Sequence, residues 1–580
     1  MINANKEKLQ SFYQGNLQYE IPFFQRAYVW TDENWTTFWE HLTAELEAYE
    51  NGIDSEHFIG TIITKQKKSK NLSENVVELV DGQQRLTTIS VFLKALRDTV
   101  LGELPKLKES IDKLLWFEDS YGKIHYRMKH SRIDEPNFIK VMEKPEEISK
   151  EESSSILLAY SHFKNLLENL TDEKRETVKQ VLLQKVPVIS MLLDANDDEQ
   201  EIFDTINSLG VRLTIGELLK NYMFKEQELI NLYDDKWLAI FENDEEQVNY
   251  WHTERSSGRV QRNNMELLLY CFLIIETKKE IRLDRLFKEY KAYLKTKSAE
   301  EKKDFLIRLS KMANIFSSMP QKEELVEIKF SDREKRFFHV LENLEITTIF
   351  PLVLYLYQYI QDKEELLNTF EILESYLALR QICRFTTKNY NNIFIQIIRA
   401  FEKPVDKDDE TSKEVSPARL KQILESFTED SNRYPTEIEV KNAFHEKVLS
   451  NKQAGEILYI IALKDIDSEY SDSKTLSSKS FSVEHMMPKK WEEHWNDDDF
   501  DELGKFQRTQ KLKTFGNLTL ITKNLNSKLR NQAWSIKKST LSEYSSLKMT
   551  TAFLDLDIWD ENQIMQRATM LAEKAIAIWK

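Results

Sequence analysis

The middle of the chain, from about residue 225 to 400, carries apolar residues at the spacing of an α-helix. One helical face carries apolar residues separated by three or four positions, namely Leu267, Tyr270, Cys271 and Ile274. Only 12 Gly and 11 Pro occur in 580 residues, so few positions force a helix to end. The pattern predicts an all-helical middle region, with its aromatic residues in the core, inside a helix-dominated α+β protein.

The chain is too long for one hydrophobic core, because domains average about 150 residues. Its first part mixes helices with short strands, of which 57–63 and 76–80 are the clearest. The hydrophilic run from Lys403 to Ser416 is typical of a linker. We therefore predict a mixed domain over residues 1–225, a helical region 226–402, a linker 403–416 and a helical C-terminal domain 417–580.

Charge, cysteine content and hydropathy narrow the class of protein. The net charge of −16 argues against a uniformly basic coat, so any nucleic-acid site must be a local patch. Two cysteines, Cys271 and Cys383, exclude a cysteine zinc cluster. The N-terminal residues lack the apolar segment of a secretory signal, and the longest apolar run, 267–275, is far shorter than the ~20 residues that span a bilayer. We expect a cytoplasmic protein with no membrane partner.

A strand-to-helix junction with charged and amide side chains follows the strand at 76–80. Its sequence is Asp81-Gly82-Gln83-Gln84-Arg85, and a helix begins there. Glycine permits a tight turn, and the free N–H groups at a helix start attract phosphate. The aspartate could hold a metal or a water, the glutamines could orient a water, and the arginine could pair with a phosphate. A plain Asp-Gly turn with a solvated arginine explains the residues equally well. The sequence contains no P-loop motif, which excludes that class of NTPase.

Polar residues recur in a second stretch, 481–531. Glu484 and His485 follow a β-prone Phe-Ser-Val, Asn517 follows Phe-Gly, and Asn526 comes nine residues later. A strand carrying His485, a loop holding Asn517 and a helix presenting Asn526 would converge on one small site. That site could hold a divalent cation and a phosphodiester. Taken singly, each residue could be an ordinary cap or turn residue.

The same stretch is locally basic. Between residues 505 and 548 there are ten lysines and arginines and a single acid, Glu543. Basic runs are often only solvated faces, but one this one-sided favours a track for DNA phosphates. The predicted DNA contacts are Arg508, Lys511, Lys513, Lys523, Lys528 and Arg530.

Several blocks in the first 225 residues carry a family resemblance. They are Ile21-Pro22 with Gln25-Arg26, His57-Phe58 with Gly60, Asp81 to Thr88, Asn207 to Gly210, and Leu218 to Asn221. Together they resemble the N-terminal, GmrS-like half of the GmrSD family of modification-dependent (type IV) restriction enzymes, a domain related to the ParB/sulfiredoxin fold. The resemblance implies that an NTP is bound and hydrolysed by Asp81, Gly82, Gln83, Gln84 and Arg85, with Gln25 and Arg26 beside them.

The C-terminal motif, with Glu484-His485, then Gly516-Asn517 and then Asn526, resembles the GmrD-like domain of the same family. That domain is an HNH endonuclease with a ββα-metal motif. A neutral imidazole can take a proton from water at cellular pH, so His485 is the expected general base. Hard oxygen ligands suit Mg²⁺ or Mn²⁺, so Glu484 and Asn526 are the expected metal ligands. We expect Asn517 to brace the loop and orient His485.

The two resemblances in one chain imply a single-chain, modification-dependent DNA endonuclease of antiphage defence. NTP binding or hydrolysis by the N-terminal domain would regulate Mg²⁺-dependent cleavage or nicking of double-stranded DNA, in particular modified phage DNA. The family also allows a homodimer, and the NTP could be GTP, ATP, CTP or UTP. Two alternatives are a nucleotide-switched DNA-binding regulator with a vestigial nuclease, and a nuclease toxin restrained by a partner.

Overall fold

The structure, a computed structural model, divides the chain into two compact units, Met1–Lys225 and Glu226–Lys580. It describes residues 3–22, 25, 27–66, 76–119, 121–131, 133–149, 154–193, 214–257, 260–404, 413–467, 473–495 and 501–579. Helices dominate both units, and the strands form small sheets, as expected for a helix-dominated α+β protein. Among the helices in these residue ranges, none is both long and apolar enough to cross a membrane.

A mixed sheet of six strands organises the Met1–Lys225 unit. The strands of this unit are β1 Asn3–Lys8, β2 Gln18–Glu20, β3 Thr61–Gln66, β4 Val76–Asp81, β5 Trp116–Glu118, β6 Ile124–Tyr126, β7 Met128–Lys129 and β8 Pro187–Leu193. The sheet order is β1-β8-β3-β4-β2-β7, and β5 and β6 form a separate antiparallel pair. In the sheet, β1 with β8 and β3 with β4 are antiparallel, whereas β3 with β8, β2 with β4 and β2 with β7 are parallel. The predicted strand at 76–80 is confirmed.

The helices of this unit surround one that is almost entirely buried. They are Leu9–Phe12, Asp32–Glu50, Gln83–Asp98, Leu107–Leu115, Glu135–Glu143, Ser155–Leu167, Asp172–Lys185 and Ile215–Met223. Within Gln83–Asp98, every residue from Leu86 to Leu96 is buried. A helix buried all round forms the centre of a core rather than its edge. The junction at residues 81–85 therefore lies at the start of a helix in the centre of the core.

The Glu226–Lys580 unit is mainly helical. Its α-helices are Glu245–His252, Asn264–Thr277, Leu286–Lys295, Ala299–Ser318, Arg333–Leu344, Phe350–Tyr359, Lys363–Ile382, Tyr390–Phe401, Pro417–Glu425, Glu437–Glu446, Asn451–Ile466, Glu502–Lys511, Lys523–Leu529, Trp534–Tyr544, Lys548–Thr551 and Glu561–Trp579, with a π-helical segment at Asp234–Glu242. Its strands are β9 Glu254–Ser257, β10 Val260–Asn263, β11 Glu327–Lys329, β12 Thr475–Ser477, β13 Phe481–His485 and β14 Leu518–Thr522. One hydrophobic core extends from Ile328 through Ile457 to Trp579.

The expectation of an all-helical region 226–402 is wrong, since β9, β10 and β11 lie inside it. β9 and β10 pair with each other, while β11 pairs antiparallel with β12, about 150 residues further along the chain. A three-residue strand whose partner is so distant has no periodicity of its own to reveal it. The predicted domain limits remain predictions, and residues 405–412 of the predicted linker lie outside the described residues.

Candidate functional site

A short β-ribbon followed directly by a helix carries the C-terminal motif. β13 and β14 pair antiparallel, with Glu484 opposite Thr519 and His485 opposite Leu518. The helix Lys523–Leu529 begins at the residue after β14, where the Thr522 side chain accepts a hydrogen bond from the Leu525 backbone N–H. A threonine in this position is a favoured N-cap. The motif residues therefore sit on a strand–strand–helix unit.

Asn517 is fully buried in the 3₁₀ turn that leads into β14. Its Oδ1 accepts hydrogen bonds from the Met487 N–H (2.8 Å) and from Trp559 Nε1 (3.0 Å). Its Nδ2 donates to the carbonyls of Met487 (2.8 Å) and Leu512 (2.9 Å). These four bonds use the full capacity of the amide. Asn517 thus holds the turn just after His485 and has no lone pair left for a metal.

Asn526 ties the helix to the first strand of the ribbon. Its Nδ2 donates to Ser482 Oγ (2.9 Å) and to the Val483 carbonyl (3.0 Å). The side chain is half-buried, and its Oδ1 has no hydrogen-bond partner in the described part of the chain. An amide oxygen of this kind can serve a hard cation. Asn526 is therefore the motif asparagine with a free ligand atom.

Glu484 forms a buried ion pair with Lys537. Glu484 is 6% exposed and Lys537 is fully buried; the lysine ammonium donates to the Glu484 carboxylate and to the His485 carbonyl (2.8 Å). Burial raises the pKa of Glu484 and lowers that of Lys537, and the attraction between the two charges opposes both shifts. Removing one partner of such a pair strands the other charge. Lys537 is thus part of the site.

In the sequence, Lys537 is recognisable only as one of the basic residues between 505 and 548. A signal for its burial was present, because Trp534, Lys537 and Leu541 fall on one face of the Trp534–Tyr544 helix and are its buried residues. A lysine on an apolar helical face needs an acidic partner. The position of Lys537 on the apolar face of the helix would therefore have been enough to predict its burial.

His485 is half-buried at the end of β13, and its imidazole makes no hydrogen bond within the described residues. Burial, reinforced by the positive charges of Lys489 and Lys537, lowers the pKa of His485 to about 4. The ring is therefore neutral at pH 7 and has a lone pair to offer. Adjacent side chains of a strand point to opposite faces, so Glu484 and His485 leave the ribbon on opposite sides. Lys537 links the two through a carboxylate and a main-chain oxygen.

Four of the six cations predicted to contact DNA are exposed, namely Lys513, Lys523, Lys528 and Arg530. The Lys528 ammonium lies 4.8 Å from the ring centre of Tyr544. Lys511 is half-buried and donates to the His445 carbonyl (3.2 Å). Lys489 and Lys490 are not among the predicted DNA contacts but are exposed directly after the His485 turn.

Arg508 does not fit the role of a DNA contact. Its side chain is 5% exposed, pairs with Glu561, and donates to the Trp495 carbonyl (2.6 Å). Its guanidinium also lies 5.1 Å from the centre of the Trp491 ring. A guanidinium committed in this way holds two helices together and is not presented to a phosphate. Its partner lies 53 residues further along the chain, beyond the reach of local pattern.

The N-terminal junction has the geometry that its glycine requires. β4 ends at Asp81, and Gly82 takes φ +96° as the N-cap of the helix Gln83–Asp98. A Cβ at Gly82 would lie 3.0 Å from Ile62 Cγ1 and 3.3 Å from the Thr61 carbonyl. Both the left-handed backbone and the close approach of β3 select glycine. The first N–H groups of the helix therefore follow a sharp turn.

The two buried glutamines of this region bind main chain. Gln84 accepts from the Val29 N–H (2.9 Å) and donates to the Ala27 carbonyl (3.1 Å), and Gln25 donates to the Val80 carbonyl (3.5 Å). Asp134 holds the same segment by accepting from the Tyr28 N–H (2.7 Å). Gln84 thus fixes residues 27–29 and is not free to orient a water. Gln83 is half-buried, and Arg26 lies outside the described residues.

Asp81 and Arg85 are the partly open residues of the junction, with about a quarter of each side chain exposed. Arg85 Nη1 donates to the Thr61 carbonyl (2.8 Å) and lies 3.7 Å from Asp81 Oδ2. The guanidinium borders a cavity of about 280 Å³ that is also lined by Trp30 and by the stacked rings of His41 and His57. The cavity offers a guanidinium and aromatic surfaces to one small ligand, and the Asp81 carboxylate lies beside that guanidinium but does not line the cavity. The motif block from Asn207 to Gly210 lies outside the described residues.

The donor chemistry for a cation is limited but suitable. Within the described ranges, no three His, Cys, Asp or Glu side chains cluster so as to hold a metal ion. Mg²⁺ retains several waters and needs only one or two protein oxygens. Asn526 offers its Oδ1, and Glu484 offers a carboxylate for which Lys537 competes. These two residues could hold such an ion, and Asn517 could not.

Comparison with known protein families matches both parts of the chain. Residues 8–224 match the GmrSD restriction endonuclease N-terminal domain, and residues 434–574 match the GmrSD restriction endonuclease C-terminal domain. Together the matches cover more than half of the chain and include both candidate sites. They define the class of this protein as a restriction endonuclease, an enzyme that acts on DNA. The chain belongs to the GmrSD restriction endonuclease family. No curated protein matches it in sequence.

Proposed function

We propose that this protein is a modification-dependent endonuclease of antiphage defence. In this proposal the N-terminal unit, a ParB/sulfiredoxin-like domain, binds and hydrolyses an NTP at Asp81 to Arg85 and so regulates DNA cleavage at an HNH site around His485. The observation that carries the proposal is the strand–strand–helix unit, in which one strand carries Glu484 and His485, Asn517 braces the turn after His485, and Asn526 ties the following helix to that strand. Its place in a GmrSD chain makes DNA the substrate.

His485 acts as the general base. Its neutral imidazole accepts a proton from the attacking water, and Asn517 keeps the following turn in place. Asn526 and Glu484 would hold a Mg²⁺ or Mn²⁺ ion, and Lys537 would keep its bond to the His485 carbonyl. Such an ion would supply positive charge to offset the charge that develops on the phosphate and on the leaving oxygen.

One observation favours a second candidate function, a nucleotide-switched DNA-binding regulator without cleavage. The Glu484 carboxylate is already neutralised by Lys537, as expected if a lysine has replaced the metal. A regulator of this kind would bind modified DNA tightly and leave every strand intact during a long incubation with Mg²⁺ and NTP. Strand scission under those conditions excludes it.

Asp81→Asn should reduce NTP hydrolysis about 100-fold. In the proposal the Asp81 side chain contacts the nucleotide, and the substitution keeps its shape but removes its charge. Purified full-length protein is incubated with Mg²⁺, each of the four NTPs, and modified or unmodified phage DNA. We expect both proteins to cleave modified DNA only. One NTP should change the rate of cleavage by the wild type, whereas no NTP should change the rate of cleavage by Asp81→Asn.

Asp54→Asn is the matched control for this experiment, since Asp54 lies in the same unit with a side chain that is 92% exposed and should leave hydrolysis unchanged. Wild-type hydrolysis by the Asp81→Asn protein would refute the nucleotide site. Equal cutting of modified and unmodified DNA would refute the proposed specificity.

Lys523→Ala and Lys528→Ala should each weaken DNA binding by a similar factor for all sequences. Both side chains are exposed on the helix after the ribbon, and a lost phosphate contact reduces the slope of log affinity against log salt by about 1. Binding is measured in a cleavage-deficient background over a range of salt concentrations. The control is Lys441→Ala, an exposed lysine on another helix of the unit. An unchanged slope in both variants would show that DNA follows a different surface.

A further inference from the structure

A cavity of about 320 Å³ lies against the outer end of the β13–β14 ribbon, within the Glu226–Lys580 unit. Phe481, Val483 and Leu520 of the ribbon and Tyr459 of the Asn451–Ile466 helix form its apolar and aromatic walls. Its size is at the small end of the range for ligand cavities, which suits one small molecule with a flat apolar part. The role assigned above to the motif residues makes no use of this cavity.

A carboxylate among the lining residues of this cavity has one buried oxygen without a hydrogen-bond partner in the described part of the chain. Glu456 lines the cavity with a side chain that is 5% exposed; its Oε2 lies 3.1 Å from His339 Nε2, whereas its Oε1 has no hydrogen-bond partner. His339 in turn donates from Nδ1 to the Leu325 carbonyl (2.8 Å). An unpaired buried acceptor is costly, so such groups are normally satisfied by a ligand or a water.

The charge of Glu456 is balanced inside the protein. Burial alone would lower the pKa of His339, but the carboxylate of Glu456 and the Leu325 carbonyl hold it above its ordinary value. The raised pKa favours the protonated imidazole, whose positive charge lies 3.1 Å from Glu456 Oε2 and offsets the charge of the carboxylate. Glu456 Oε1 can therefore accept an N–H from a ligand.

The rim of the cavity carries three lysines and one acid, Glu342. Lys479 is exposed and makes no hydrogen bond or ion pair within the described residues. Lys322 and Lys452 also border the cavity and pair with Glu342 (2.9 Å) and Glu345 at the surface. Exposed pairs of this kind are weak and exchange readily for a more highly charged anion. A phosphate at the rim would meet one free ammonium and two that can turn to it.

We propose that this cavity binds one nucleotide, with an N–H of the base on Glu456 Oε1, the base between Tyr459 and Phe481, and the phosphate on Lys479, Lys322 and Lys452. The nucleotide is either free in solution or part of the DNA strand next to the cut; only the second source rests on the proposed function. Carboxylate oxygens accept from base amino groups in the same way in DNA readout.

Occupancy of the cavity is coupled to the motif through β13. Ser482 and Val483 border the cavity, and Asn526 donates to Ser482 Oγ and to the Val483 carbonyl. Glu484 and His485 are the next two residues of the same strand. A ligand that fixes residues 481–483 therefore also fixes the strand end that presents His485.

Hydrogen–deuterium exchange of the full-length His485→Ala protein tests the proposal. The probes are dGMP, dCMP, ATP, a short single-stranded DNA and inorganic phosphate. We expect a nucleotide source to slow exchange in residues 451–459 and 478–483, whereas inorganic phosphate does not. Glu456→Gln and Lys479→Glu should each weaken this protection about tenfold, and Lys474→Glu, an exposed lysine outside the cavity, should not. Because Lys479 is at the surface, its variant tests the site even if the buried Glu456 variant folds poorly.

Protection by only one of the two probes, free nucleotide or DNA, identifies the source of the bound nucleotide. Either result supports the proposal. Absence of protection by both, equal protection by inorganic phosphate, or protection that survives both variants would overturn it. DNA cleavage by the wild type is measured in parallel. Cleavage without protection of the cavity would refute this inference but not the proposed nuclease function. Protection by free nucleotide without any cleavage would support this inference and refute the nuclease function.

Discussion

His485→Ala is expected to lower the rate of DNA cleavage by about 10²- to 10⁴-fold, the usual contribution of a general base. The imidazole is neutral at pH 7 and makes no hydrogen bond within the described residues, so its removal takes a proton acceptor from the site and little else from the structure. The measurement is single-turnover cleavage of modified DNA with Mg²⁺. Far-UV circular dichroism and DNA affinity should match the wild type.

The matched control for this variant is His494→Ala, because His494 is exposed nine residues further along the same domain. Added imidazole should restore part of the rate to His485→Ala if the ring acts as a base, and none if it only packs. Cleavage by His485→Ala at the wild-type rate would show that the base lies elsewhere. A loss of rate that appears together with lost secondary structure would assign His485 a structural role instead.

Local pattern was sufficient for the elements that carry both sites. β4 and the helix after Gly82 follow from a β-prone run, an Asp-Gly turn and a helical apolar spacing, and the strand that carries His485 follows from the β-prone Phe-Ser-Val before Glu484. The predicted strand at 57–63 begins only at Thr61, because Gly60 takes φ +112° and interrupts it. That glycine leaves room for the guanidinium of Arg85, a contact across 25 residues.

What local pattern could not provide is the identity of buried charge partners. Arg508 and Lys537 read as surface cations in a basic run, yet each pairs with an acid 53 residues away. Arg567 is a stronger case, since its buried guanidinium donates to the carbonyls of Gly516 (2.9 Å) and Leu518 (2.6 Å). Its burial lowers its pKa to about 9. Carbonyl groups carry no sequence signature, so only the fold shows what this arginine holds.

Gly516→Ala should destabilise the Glu226–Lys580 unit by about 3 kcal/mol, at the upper end of the cost of overpacking. A Cβ at Gly516 would lie 2.0 Å from the Ile564 carbonyl oxygen and 2.9 Å from its carbonyl carbon. Both are backbone atoms of the helix Glu561–Trp579, so the clash cannot be relieved by rotating a side chain. The turn must move away from the helix and take Asn517 and the carbonyls that bind Arg567 with it. Cleavage should therefore fall along with stability.

Gly455→Ala is the matched control, because its new Cβ would meet only a methyl group, Val483 Cγ2 at 3.1 Å, inside a helix that favours alanine. Its urea midpoint should stay near that of the wild type, while that of Gly516→Ala shifts to lower urea. Faster hydrogen exchange in residues 512–522 of Gly516→Ala would locate the damage in the turn that braces His485. Equal midpoints for the two variants would mean that the turn and the helix are not in the contact described, and the bracing role of Asn517 would lose its structural basis.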